Sequence, residues 1–162
     1  MSIWIADAGP LIFLAKLDRL NLLEDANNEI YISSGVMLEI RGKVDQASSI
    51  LDNASKTWLQ VRDVSSRDTV NLLLADLDIG EAEVITLATE LNADKVLLDD
   101  LDARRFAHRV GLSAIGTMGI LLAARLRGEI ASLRNEITQL QHYGFWVSET
   151  LIVRVLKEAG EL

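Results

Sequence analysis

The chain has 162 residues, with 24 acidic and 16 basic side chains and a formal net charge of −8. A chain this acidic repels a polyanion on average, which excludes a generic basic coat for nucleic acid. With 49% hydrophobic residues it can bury a continuous core. Because it contains no cysteine, it has neither disulfides nor thiolate metal ligands.

The apolar amino terminus is interrupted by Asp7, Gly9 and Pro10 before a membrane-spanning length accumulates. It also lacks the basic start of a secretory signal. We therefore expect a soluble, cytoplasmic protein with no membrane partner.

The hydrophobic pattern predicts short strands that alternate with helices. In chain order, strands are predicted at 3–7, 29–33, 58–64, 95–99 and 113–115. Helices are predicted from Gly9-Pro10, from a cap at Ser34, on either side of the third strand within 46–76, at 80–91, after 99 and at 118–128. Two amphipathic helices follow beyond 129. This alternation predicts an α/β fold with a parallel sheet covered by helices on both faces.

Acidic residues occur where a parallel sheet binds its ligands, outside the carboxyl ends of the strands. Asp7 and Asp99 end predicted strands, and Glu39 lies in the helix after the second strand. Glu81 opens the helix after Gly80, on the face predicted to point toward the sheet. Glu83 is predicted on a more outward face of that helix.

Two further acids, Asp100 and Asp102, follow Asp99 closely and compete with it for one role. Carboxylates that converge on one pocket cannot all stay ionised unless a cation compensates them. Oxygen ligands without Cys or His select Mg²⁺ or Mn²⁺, which can activate a phosphodiester for hydrolysis. The predicted metal ligands are Asp7, Glu81 and Asp99, with Glu39, Asp100 and Asp102 as secondary candidates, and the predicted catalytic set is Asp7, Glu39, Glu81 and Asp99.

Each acid also has a purely structural interpretation. Asp7 could cap the following helix, and Glu39 could pair with Lys43 on the surface. Glu81 satisfies the preference for acids at helix starts. The acids after Asp99 could cap the helix that follows them.

Arginines follow the acidic strand end, at Arg104, Arg105 and Arg109. They could hold a phosphate backbone, or they could form a solvated helix face with a pair between Asp102 and Arg105. The tryptophans are scattered and are predicted to pack in the core rather than to stack on bases: Trp4, Trp58 and Trp146.

The ordered segments IADAGPLIFLAKL, SSGVMLEI, LDIGEAEVITLA, KVLLDDLDARRFA and IGTMGILLAAR resemble the PIN domain, in particular a prokaryotic branch close to VapC-type toxins. The resemblance implies a three-layer α/β/α fold and an Mg²⁺- or Mn²⁺-dependent ribonuclease. It places the site acids at Asp7, Glu39, Glu81 and Asp99, although toxin relatives often carry Asp at the position of Glu81. Thr117 occupies a position where many PIN proteins carry a hydroxyl near the metal, and it could equally cap the next helix.

The same resemblance divides the chain into a PIN-like domain at 1–128 and a C-terminal helical extension at 129–162, packed on the same unit. RNA is the implied substrate, and a cognate antitoxin and a homodimer are the implied partners.

Two other functions compete with this one. An aspartate-based phosphoryl-transfer domain is the first, but a phosphatase of that type favours a second aspartate where this chain has Gly9. A receiver domain requires a lysine toward the end of its sequence, and this chain has Arg125 in that region. A catalytically inactive PIN-like binding module, with the terminal helices as its main surface, is the second.

Overall fold

The central sheet has five parallel strands in the part of the chain that the structure, a computed structural model, describes, residues 1–25 and 27–162. The strands are β1 (Ser2–Ala6), β2 (Asn28–Ser33), β3 (Leu59–Arg62), β4 (Lys95–Leu97) and β5 (Ala114–Ile115). They lie in the order β3-β2-β1-β4-β5, and every neighbouring pair is parallel.

Helices follow the strands and cover the sheet. They are α1 (Ala8–Lys16), α2 (Ser34–Arg41), α3 (Gln46–Ala54), α4 (Arg67–Leu73), α5 (Ile79–Glu90), α6 (Leu101–Arg109), α7 (Thr117–Leu126), α8 (Leu133–His142) and α9 (Glu149–Glu158). Helix α5 packs on β1, β2 and β4, while α1 contacts α3 and α7. Right-handed crossovers place the helices that lead toward β3 and those that lead toward β5 on opposite faces. The predicted three-layer α/β/α fold is therefore confirmed.

The strand order reverses at β1, which decides where a site can form. The chain runs outward from β1 to β2 and β3, then returns past β1 to β4 and β5. The segments that leave β1 and β4 therefore lead to opposite faces, and a crevice opens between the carboxyl ends of these two strands. Asp7 directly follows β1 and donates its backbone N–H to the carbonyl oxygen of Leu97 at 3.0 Å, and Asp99 comes two residues after β4.

The element boundaries differ from the predicted ones where side chains cap helices. We predicted Ser34 as the cap of the second helix, and this was wrong. The hydroxyl of Ser33 accepts the N–H of Val36 at 3.0 Å, and Ser34 is the first helical residue. Ser33 has the extended backbone that a cap requires, because it still belongs to β2.

The C-terminal helices pack on the rest of the chain. Helix α8 contacts α7 and α9. Glu136 of α8 pairs with Arg19 at 2.7 Å, and the ring of Phe145 meets that of Phe13 edge-on at a centroid distance of 5.0 Å. The division of the chain at residue 128 stays a prediction.

Within the described residues, none of the helices combines the length and the apolar character needed to cross a membrane. The cytoplasmic location stays a prediction.

If the C-terminal helices share the core, removing a buried side chain from α8 must destabilise the whole chain. Leu140 is fully buried, so we expect Leu140→Ala to lower the free energy of unfolding by about 2–5 kcal/mol in a urea titration with one transition. The exposed neighbour Gln141 provides the control, and Gln141→Ala should change stability by less than about 0.5 kcal/mol. A separate early transition for α8 and α9 would show that they are not part of one cooperative unit.

Candidate active site

Three carboxylates from different elements surround a small space beside Gly80, in the first turn of α5. A Cβ atom at Gly80 would lie 3.2 Å from Asp7 Oδ1, 3.4 Å from Glu39 Oε2 and 3.6 Å from Asp78 Oδ1. Asp7 comes from the end of β1, Glu39 from α2 and Asp78 from the residue before α5. The fold therefore brings two of the predicted acids to the start of the helix that carries Glu81.

Asp78 is a site acid that the sequence analysis missed. Its Oδ1 accepts the N–H of Glu81 at 2.8 Å, and Glu81 Oε1 accepts the N–H of Asp78 at 3.1 Å. This is a capping box, and its signature of an N-cap aspartate followed three residues later by glutamate is readable in the sequence. The signal was therefore present, and it also shows how the carboxylate of Glu81 is oriented.

Asp99 is held by the start of α7. Its Oδ1 accepts the backbone N–H of Thr117 and its Oδ2 accepts the hydroxyl of Thr117, both at 2.7 Å. Gly116, not Thr117, is the N-cap of α7, and Thr117 is fully buried. A Cβ atom at Gly116 would lie 2.8 Å from Asp99 Oδ1 and 2.9 Å from Arg104 Nη1, so this glycine makes room for both groups.

The acids after Asp99 have structural partners of their own. Asp100 caps α6, because its Oδ2 accepts the N–H of Ala103 at 2.9 Å. Asp102 is exposed and pairs with Arg105 at 3.8 Å. Their secondary role as metal ligands stays a prediction.

The three arginines of α6 have different surroundings. Arg104 lies beside Asp99, and its charge helps to counter the burial of that carboxylate. Arg105 is engaged with Asp102, and the guanidinium of Arg109 lies over the ring of Phe106 at 5.3 Å. Arg104 is therefore the arginine of this helix placed next to a site acid, and the role of all three in substrate binding stays a prediction.

The outward position predicted for Glu83 is wrong. Glu83 is 4% exposed, and its Oε1 accepts the N–H of Gly35 at 3.2 Å while its Oε2 pairs with Arg67 at 3.0 Å. Helix α5 is covered by α2 and α4 as well as by the sheet, so this stretch of it has no face open to solvent. Glu83 thereby fixes α2, the helix of Glu39, against α5.

The pKa values of three of the candidate site acids are raised. Burial, reinforced by the charges of Asp78, Glu39 and Glu81, raises the pKa of Asp7 from 3.8 to about 7, against the effect of the N–H of Ala8. Burial also raises the pKa of Glu81, to which Asp78 contributes, although the N–H of Asp78 opposes it. Burial raises the pKa of Asp99, against its bonds from Thr117.

The donor set fits a hard divalent cation. The groups are all carboxylates, three of them surround a space that a glycine leaves free, and a cation would relieve their repulsion. Within residues 1–25 and 27–162, no three Asp, Glu or His side chains already stand in a metal-coordinating arrangement.

A parallel α/β sheet with carboxylates gathered at its switch point defines a class of proteins that act on ligands at the carboxyl edge of the sheet. The family model described as a PIN domain matches residues 3–161, so the chain belongs to the PIN-domain family, as the ordered motifs predicted. PIN domains are generally a nuclease fold and generally use divalent metals. A comparison with curated proteins gives no match.

The raised pKa of Asp7 predicts that the stability of the metal-free protein depends on pH. Between pH 3.8 and about 7 the native carboxyl keeps its proton while the unfolded one ionises, so stability falls as the pH rises through this window. Asp7→Asn cannot ionise and remains a good N-cap. With chelator present, we expect its stability advantage over the parent to grow by about 2–3 kcal/mol between pH 5 and pH 8, measured by urea unfolding. An advantage that does not change with pH would contradict the assignment.

The contact between Gly35 and Glu83 predicts a second effect on stability. A Cβ atom at Gly35 would lie 2.5 Å from Glu83 Oε1 and would displace the buried carboxylate from its partners. Although alanine is the better helix former, we expect Gly35→Ala to lower the free energy of unfolding by roughly 1–3 kcal/mol. Gly9→Ala is the control, because its nearest neighbour would be at 3.9 Å. In a Glu83→Ala background the cost of Gly35→Ala should disappear, and a cost that persists would refute the clash.

Proposed function

We propose that the protein is a divalent-metal-dependent endoribonuclease that hydrolyses RNA phosphodiesters. The observation that carries the proposal is the approach of Asp7, Glu39 and Asp78 to one space beside Gly80, at the switch point of the sheet. Acids that serve only as helix caps have no need to gather at one point, where burial and then the charges of Asp78 and Glu39 raise the pKa of Asp7. The family, generally a nuclease fold, supports hydrolysis in general.

The residues divide the work as follows. Asp7, Glu81 and Asp99 would hold a divalent cation, and Glu39 and Asp78 would complete its surroundings directly or through water. A bound Mg²⁺ or Mn²⁺ would supply Lewis-acid polarisation of the scissile phosphate. The ion is all the more needed because the chain is acidic and a phosphate would otherwise meet several carboxylates at close range.

Two neighbours of Asp99 support this arrangement. Thr117 directs two hydrogen bonds at the carboxylate, which fixes its orientation in the crevice. Arg104 lies next to Asp99 and can hold a phosphate oxygen of the substrate as a positioning contact.

The choice of RNA rests on the resemblance of the ordered motifs to VapC-type toxins. On the same ground we propose a cognate antitoxin and a homodimer as partners. The exposed apolar residues of the described chain are compatible with a protein partner, among them Leu38, Val44 and Leu72.

Cleavage of a labelled single-stranded RNA tests the proposal. The parent should cut the RNA with Mn²⁺ or Mg²⁺ and should lose this activity with chelator, and Asp7→Asn should show no detectable cleavage. Mn²⁺ should also raise the melting temperature of the parent but not that of Asp7→Asn, because a ligand that binds the native state stabilises it. A DNA oligonucleotide of the same sequence reports the choice of nucleic acid.

The matched control is Asp68→Asn, which makes the same change at an exposed residue of α4 and should cleave like the parent. Equal cleavage by Asp7→Asn and the parent, from preparations free of contaminating nuclease, would overturn the metal site. A parent that binds no Mn²⁺ at millimolar concentration and cuts nothing would favour the inactive binding module.

A further inference from the structure

A groove continues from Asp99 along the C-terminal segment of the chain. Its volume is about 510 Å³, within the range of roughly 300–1,000 Å³ that is usual for sites of small ligands. Its walls include Asp99 and Arg104 at the active-site end and Trp146 and Arg154 at the other. The groove thus extends from Asp99 to the segment between α8 and α9.

Trp146 is the unusual residue of this groove. We predicted that the tryptophans pack in the core, and for Trp146 this was wrong, because 84% of its surface is exposed. Its neighbour Phe145 packs against Phe13 and anchors the segment that presents the indole. A large aromatic ring that remains open to solvent beside a crevice is available to stack on a planar ligand.

The cations of the groove are not engaged with acids by close ion pairs. In the part of the chain that the structure describes, neither Arg104 nor Arg154 forms an ion pair within 4 Å, whereas Arg19, Arg125 and Arg127 do. Two carboxylates, Asp99 and Asp100, line the groove beside the two guanidinium groups, so its formal charge is zero, and it repels a polyanion less than a chain of net charge −8 does as a whole.

We infer that this groove binds the nucleotides next to the scissile phosphate of a single-stranded RNA, with a base stacked on Trp146 and backbone phosphates held by Arg104 and Arg154. The inference rests on the proposed function and names the substrate path of that site. An aromatic platform beside a cationic track is the usual way to hold a single strand without reading its sequence. Because Asp99 lines the groove, a strand that lies in it passes this candidate site carboxylate.

The test measures RNA binding separately from cleavage. The full chain with Asp7→Asn and Mg²⁺ is titrated into a short fluorescein-labelled single-stranded RNA, and anisotropy gives the affinity. Adding Trp146→Ala should weaken binding roughly 10-fold, the usual effect of losing one stacked base, while Trp146→Phe should retain most of the affinity. Adding Arg154→Ala should lower the slope of log affinity against log salt by about 1.

Two controls match these changes. Tyr143→Ala removes a nearby exposed aromatic ring that lines a different concavity with Lys16 and Asp45, and it should not affect affinity. Lys157→Ala removes the same charge from the same helix as Arg154 but outside the groove, and it should leave the salt slope unchanged.

Each outcome decides the inference. If RNA binds equally with and without Trp146, or if Trp146→Ala and Tyr143→Ala weaken binding equally, the groove is not the RNA-binding site. The nuclease proposal is unaffected by that result. Binding that depends on Trp146 in a protein whose parent cuts no RNA supports the groove and overturns the nuclease. An absence of RNA binding at low salt overturns the groove as well.

Discussion

The carboxylates of Asp7, Glu39 and Asp78 approach one space beside Gly80, where burial and the charges of the other two acids raise the pKa of Asp7. This repulsion is the constraint on which the site depends. Asp7 stays in place because it follows a buried strand, and Glu39 and Asp78 stay in place because α2 packs on α5. Ile5, Ala6 and Leu97 are fully inaccessible, and the apolar sheet stabilises the fold far from the crevice. The protein therefore tolerates a strained electrostatic arrangement at one edge of the sheet, as expected where stability is given up for function.

Helix starts reduce this repulsion. Helices α1, α6 and α7 begin within a few residues of the end of a strand, and the start of α5 lies beside Asp7, so all four present their positive ends at the edge of the sheet that carries the acids. Asp7, Asp78 and Asp100 are the N-caps of three of these helices, and the first residue of the fourth, Thr117, donates to Asp99. Capping and site formation are therefore not alternatives. Oδ1 of Asp7 accepts the N–H of Ala8 and also faces the space beside Gly80, and Oδ1 of Asp78 does the same with the N–H of Glu81.

The distribution of charge gives the net value of −8 a different meaning. Asp7, Glu39 and Asp78 lie around one space, where a divalent ion would compensate their charge. Arg104 and Arg154 line the groove that starts at Asp99. An acidic protein can then offer a single strand a local path while repelling nucleic acid over the rest of its surface. The proposed nuclease site and the proposed groove depend on arginines that lie close to the site acids.

Local patterns in the sequence determined the alternation of strands and helices, the position of Asp7 and Asp99 after buried strands, and the family to which the ordered motifs belong. Periodicity could not place Glu83 or Trp146. Helix α5 is covered by α2 and α4 as well as by the sheet, and Trp146 is left outside because its neighbours Phe145 and Val147 pack on the core. The gathering of Glu39 and Asp78 beside Asp7 likewise depends on strand order. Helix and strand propensities and residue spacing act over a few residues. Only the tertiary structure decides which surfaces distant in sequence come into contact and which charges lie close together in a buried, poorly solvated place.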